Sequence, residues 1–262
     1  MDIIKACDPP LRGINIIPQD NHLYAWVRKA STGEAFPYEG ALELNAAIAL
    51  SRLINPTSTG FRYFVQLSGL TPNPQIIRPI PFKGVGLDVL LGGDARDWLT
   101  EKEANATKEL MAWLKPNWPV RVHRAYWNHE YAQRLFELDI RFPLIVGGFE
   151  ALVNTSDRDT TWQFVNRVSQ IAAWFHIALT LAELRVAYKL RSKLVHGEGF
   201  LHALAGVLPK DDQTALYQKM ENLLRLTVRE CLRDSSFLMR FDNATSIEHA
   251  WPVPTRPKRR SP

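Results

Sequence analysis

The residues best suited to chemistry stand in one short string, Tyr188-Lys-Leu-Arg-Ser-Lys-Leu-Val-His-Gly197. Arg191 supplies a permanent cation whose planar fork matches a phosphate or a carboxylate. His196 supplies a group that exchanges protons near neutral pH. Placed on a helix at about 100° per residue, Leu184, Ala187, Leu190 and Leu194 share one broad apolar side, which Val186 extends. Arg185, Lys189, Lys193 and His196 lie on the opposite side, with Ser192 beside them. Arg191 projects between Leu184 and Ala187, inside the apolar sector.

An arginine there is costly to bury unless something pairs with it. Two roles follow. Glu150 or Asp139 on preceding helices can satisfy the guanidinium as a structural pair, the usual fate of a charge in a helical bundle. Alternatively Arg191 faces a cleft or subunit interface and holds a phosphate, with a carboxylate positioning it from behind. His196 also has two roles: favouring the negative end of the helix dipole just before Gly197, or moving a proton. Five residues of separation put Arg191 and His196 about 140° apart on an ideal helix. Their convergence requires a frayed last turn, the reach of the arginine, or a second copy of the helix across a two-fold axis. The stripe of Arg185, Lys189 and Lys193 can guide an RNA backbone or be a solvated face.

The elements that must position these residues divide the chain near residue 98. Residues 1–98 read as a small mixed α/β unit, with strands at Ile14–Ile17, His22–Val27 and Phe61–Leu67 and a helix at Gly40–Leu53. Thr71-Pro-Asn-Pro and the glycines at 84, 86, 92 and 93 read as loop and turn. Residues 99–235 read as an antiparallel helical bundle. Its first helix opens with Thr100-Glu-Lys-Glu103, a capping-box pattern, and runs to about Leu114. Helices are expected at Val120–Leu135, Asp139–Val153, Thr160–Trp174, Ala178–Val195 and Asp212–Leu232, the last capped by Asp211 or Asp212. Pro143 implies a kink or a later start for the second of these. Residues 236–262 form a C-terminal extension ending in a basic tail. The fold class is therefore mainly α.

The Arg191-Ser-Lys-Leu-Val-His-Gly197 string resembles the signature of HEPN domains, especially the Apea-like branch, in which an arginine and a histidine close a helix. Phe149-Glu150-Ala-Leu-Val153 and the helix before it resemble the Glu-Ala-Leu-Leu-like core of that branch. The likeness covers about Thr100 to Leu232. It implies a helical bundle that dimerises through the motif helices, no cofactor, and in many members a metal-independent endoribonuclease; other members are binding or sensing modules. Carried onto this chain, it makes Arg191 and His196 the catalytic pair, with Ser192 and Glu150 in support. Serine is milder than the asparagine, aspartate or histidine common at that position. Chemically, histidine would exchange the proton and arginine would meet the charge developing on phosphorus, leaving a 2′,3′-cyclic phosphate. Defence or toxin-like roles also come from the resemblance alone. The alternative is a non-catalytic module that binds RNA, a nucleotide or a protein.

Charge and composition bound these readings. The 262 residues carry a formal net charge of +5 with 46% hydrophobic residues, ordinary for a globular chain. Arg256, Lys258, Arg259 and Arg260 account for four of those charges, so the remaining chain is nearly neutral and any nucleic-acid contact must be local. Cys7 and Cys231 match no metal spacing and exclude a disulfide framework. Neither a secretory signal nor a bilayer-length apolar run is evident, and a cytoplasmic location without membrane contact is expected. His129-Glu130 opens like a zinc-protease motif, but Gln133 stands where its second histidine belongs. His123 and His129 point to different faces, and His176 and His202 read as second-layer or surface groups. Gly147-Gly148 reads as a close helix contact, and Trp162 and Trp174 as core.

Overall fold

A computed structural model describes residues 14–19, 22–27, 49–56, 63–67, 76–81, 100–113, 118–135, 137–197 and 210–255, and the chain is mainly helical. It separates into two compact units, 1–114 and 115–262. In the first, β1 (Ile14–Gln19) pairs antiparallel with β2 (His22–Val27), Ile14 opposite Val27. Likewise β3 (Tyr63–Leu67) pairs with β4 (Ile76–Pro81), with an irregularity at Gln66/Leu67. The fourth strand is unforeseen because Pro79 and Pro81 argue against one. Among the described residues each of these sheets has two strands, so each strand is an edge, and an edge tolerates proline. α1 is described over 49–54, where Ala49, Leu50 and Leu53 are buried. The rest of the helix expected from Gly40, the turn at 71–74, the glycines at 84, 86, 92 and 93, Cys7, His202 and the basic tail lie outside the described residues.

α2 (Glu101–Trp113) starts as its capping pattern demands. The Thr100 N–H donates to Glu103 Oε2 at 2.7 Å, and the Glu103 N–H donates to Thr100 Oγ1 at 3.4 Å. The other Glu103 oxygen accepts from Asn55 Nδ2 at 3.1 Å. That bond ties α2 to the segment after α1, so α2 falls within the first unit and the division comes at 114/115 rather than 98/99.

The second unit contains α3 (Val120–Arg134), α4 (Leu138–Val153), α5 (Thr160–Trp174), α6 (Leu181–Val195), α7 (Lys210–Arg233), α8 (Ser235–Met239) and α9 (Ala244–Ala250). α4 is apolar on nearly all sides, which dictates a central place. It packs against α3, α5, α6 and α7, burying Phe142, Ile145, Val146, Phe149, Leu152 and Val153. Gly148 permits the approach to α7: a Cβ there would stand 2.7 Å from Leu224 Cδ2. Pro143 lies inside α4 without delaying its start at Leu138; the helix forms around one missing N–H while Phe142, Ile145, Val146 and Phe149 around it are buried.

Residues 235–254 pack into this unit instead of extending from it. Phe237, Phe241, Ile247 and Trp251 are buried. Asp234, directly after α7, caps α8, its Oδ1 accepting from the Ser236 N–H at 2.7 Å. Trp174 is 50% exposed, not core; it lies edge-on to Trp251 and under the Arg240 guanidinium, 4.3 Å from the ring centroid. Trp162 is half-buried and donates from Nε1 to the Pro254 carbonyl at 2.9 Å.

Candidate functional site

α6 begins at a second capping box, three residues later than its apolar periodicity suggests. Thr180 Oγ1 accepts from the Glu183 N–H at 3.1 Å, and Glu183 Oε2 accepts from the Thr180 N–H at 2.7 Å. Glu183 also receives Lys219 Nζ from α7 at 2.7 Å, which orients the helix on the bundle. Leu184, Ala187 and Leu190 are then buried, while Arg185, Lys189 and His196 are exposed and Lys193 and Ser192 half-buried. The polar stripe thus faces solvent.

Arg191 reaches α4. Its Nη2 lies 2.9 Å from Glu150 Oε2, an ion pair in which the arginine side chain is 33% exposed and the glutamate 15%. Of the two carboxylates suggested by sequence, Glu150 is the partner; Asp139, in the first turn of the same helix, is about three turns away. Tyr188, one turn before Arg191 on α6, donates its hydroxyl to Thr160 Oγ1 at 3.0 Å and packs its ring on Phe164 at 5.0 Å. Burial pushes the Tyr188 phenol up; the Thr160 bond opposes this, and the neighbouring Glu150 charge adds to it. Sequence reasoning missed Tyr188 and Thr160. The i, i+3 spacing of Tyr188 from Arg191 was the available signal.

The second unit also shows what a purely structural arginine looks like. Arg167 is 3% exposed, donates from Nε to the Trp251 carbonyl at 3.1 Å and from Nη1 to the Val153 carbonyl and to Gln163 Oε1. Arg191 has a carboxylate partner and remains partly open to solvent.

His196 is the C-cap of α6, exposed, its backbone N–H directed at the Ser192 and Lys193 carbonyls. Gly197 adopts φ +84° and donates to the Leu194 carbonyl at 3.0 Å, a left-handed helix stop that suits glycine. The helix is regular through Val195, so no frayed turn swings His196 toward Arg191; on an ideal helix the two positions lie about 140° apart.

A different polar group occupies the bundle interior. His129 Nε2 lies 2.8 Å from Glu221 Oε1, and Gln133 Nε2 donates to the same oxygen at 3.2 Å. Arg225 approaches Glu221 at 3.5 Å. The near-miss of the zinc-protease pattern is explained by this network, in which Gln133 is a hydrogen-bond donor. Burial alone would push the Glu221 carboxyl up, but His129, Arg225 and Arg141 together outweigh it and hold the group below the ordinary carboxylate value. Among the described residues, no three of His, Cys, Asp and Glu converge as metal ligands, and no helix is long and apolar enough to cross a membrane. Compared with known protein families, curated proteins and solved structures, the chain finds no match in any of the three.

Proposed function

We propose that the second unit is a HEPN-like bundle that pairs with another copy through α6 and cleaves RNA without a metal. The observation supporting this is the state of Arg191: fixed by Glu150 from one side, yet one-third open, unlike the enclosed Arg167. A guanidinium already oriented by a carboxylate loses little freedom when it takes a phosphate, and it meets charge developing on the non-bridging oxygens. Because His196 and Arg191 diverge on one helix, the composite site needs His196 from one copy beside Arg191 of the other. The imidazole takes the proton of a ribose 2′-hydroxyl as that oxygen bonds to phosphorus. The P–O5′ bond breaks, its oxygen leaves with a proton from solvent, and a 2′,3′-cyclic phosphate remains. Exposed Arg185 and Lys189, with Lys193 on the same stripe, guide the strand.

The 2.9 Å ion pair favours a second reading, in which Arg191 and Glu150 only lock α6 to α4 and the unit is a non-catalytic binding module. An assay with chelator present separates the two, using mixed RNAs with wild type, Arg191→Ala and His196→Ala. Cleavage lost in His196→Ala, with its fold unchanged by circular dichroism, supports the enzyme. Equal cleavage in His196→Ala rejects the catalytic assignment.

A further inference from the structure

A surface on α3 remains outside the α6 site. With Trp127 as reference, Val120, His123, Arg124 and Tyr131 all fall within an arc of about 100° on that helix. These residues are exposed except Trp127, which is half-buried; Val120 is 71% and Tyr131 49% exposed. The rings form a ladder: Trp127 stacks on Tyr131 at 5.7 Å and 30°, and its Nε1 donates to His123 Nε2 at 2.9 Å. Trp118 meets His123 edge-on at 6.5 Å, and both tryptophans rest against the buried Tyr126 at 5.1–5.3 Å. The ladder is therefore held rigid from beneath. The single acid of α3, Glu130, is buried and paired with Arg134 at 2.7 Å, so α3 itself places no acid on this face. Arg124 is exposed on it, and Arg121 is engaged by the Ala151 and Asn154 carbonyls.

The geometry points to this face as a stacking platform for unpaired bases of a single-stranded RNA. A preformed row of rings ending in the exposed Tyr131 and flanked by Arg124 offers bases a π surface and gives the backbone an electrostatic partner. Arg124 complements a polyanion, and nucleic-acid bases, unlike lipid headgroups, present flat faces that stack on aromatic rings. The inference takes its polymer from the proposed function, but it concerns binding alone.

The test is fluorescence anisotropy of the full chain with a labelled oligouridylate, in a His196→Ala background that excludes cutting. Tyr131→Ala weakens binding by about tenfold, or about 1.4 kcal/mol, within the range for loss of one stacked base. Trp127→Ala does at least as much, and Tyr131→Phe retains affinity. Arg124→Gln lowers the slope of log affinity against log salt by about 0.7, one phosphate contact on a single strand. A duplex of the same length binds weakly, having no unpaired bases to stack. Unchanged affinity in Tyr131→Ala overturns the inference. So does a Tyr131→Ala effect confined to self-association or to binding of anionic vesicles. Aromatic-dependent RNA binding by a protein that never cleaves RNA would sustain the platform and dismiss the nuclease.

Discussion

Replacing Glu150 by glutamine removes one charge from the Arg191 pair and keeps an oxygen for hydrogen bonding. The two side chains are 33% and 15% exposed at 2.9 Å, so the pair is neither a surface contact nor a buried one. Exposed pairs contribute about 0.2–1 kcal/mol, whereas breaking a fully buried pair costs about 3–5 kcal/mol. Solvent reaching a third of Arg191 places this one near the lower range, and the retained hydrogen bond reduces it further. The expected loss is about 1 kcal/mol, or about 2–4 °C in Tm for a domain of this length. The assay is a double-mutant cycle in urea with Glu150→Gln, Arg191→Gln and the double variant, followed by circular dichroism. A coupling of about 0.5–1 kcal/mol is expected. Coupling below about 0.2 kcal/mol would refute the argument that Glu150 holds Arg191, because an unlinked pair cannot preorganise a guanidinium.

Three further outcomes follow from other parts of the fold. Because Glu221 is held below the ordinary carboxylate value, the unfolded chain takes its proton at higher pH than the folded one; the stabilisation is complete above the unfolded value and is lost as pH falls through the folded value. Urea midpoints measured from neutral pH into the acid range should fall less steeply for Glu221→Gln than for wild type, and equal slopes would contradict the assignment. Burial pushes the Cys231 thiol well up, so in a Cys7→Ser variant it should resist Ellman's reagent until the protein unfolds; reaction at the rate of a free thiol in the native state would show the site to be open. Thr180→Ala should cost about 1 kcal/mol by removing the α6 capping box, with Thr180→Ser recovering most of it in the same urea assay.

What could be read from sequence was what local chemistry controls. Helix α5 falls at Thr160–Trp174 as its periodicity predicts, and the Thr100 box closes as its spacing requires. The apolar face of α6 buries Leu184, Ala187 and Leu190, and Arg191 stands out as the charge within that sector. Choosing Glu150 over Asp139 needed the packing of α6 on α4, a property of two helices and not of either alone. The interior network was illegible for the same reason: His129 and Glu221 are 92 residues apart, and only the packing of α3 on α7 brings them together. Trp174 failed as a core residue because an amphipathic ring satisfies itself equally well at the surface, here under Arg240. Aromatic residues scattered through 235–254 read as an extension until Phe237, Phe241 and Trp251 were seen buried together.

Arg191 and His196 are proposed to cleave RNA through the ribose 2′-hydroxyl. The most direct measurement is end analysis of RNA cut in the presence of chelator, using a substrate with 2′-deoxynucleotides at chosen positions. Such cleavage leaves 2′,3′-cyclic phosphate ends and makes no cut immediately 3′ of a deoxynucleotide. Products ending in a 3′-hydroxyl, or cutting at the deoxy positions, would contradict it.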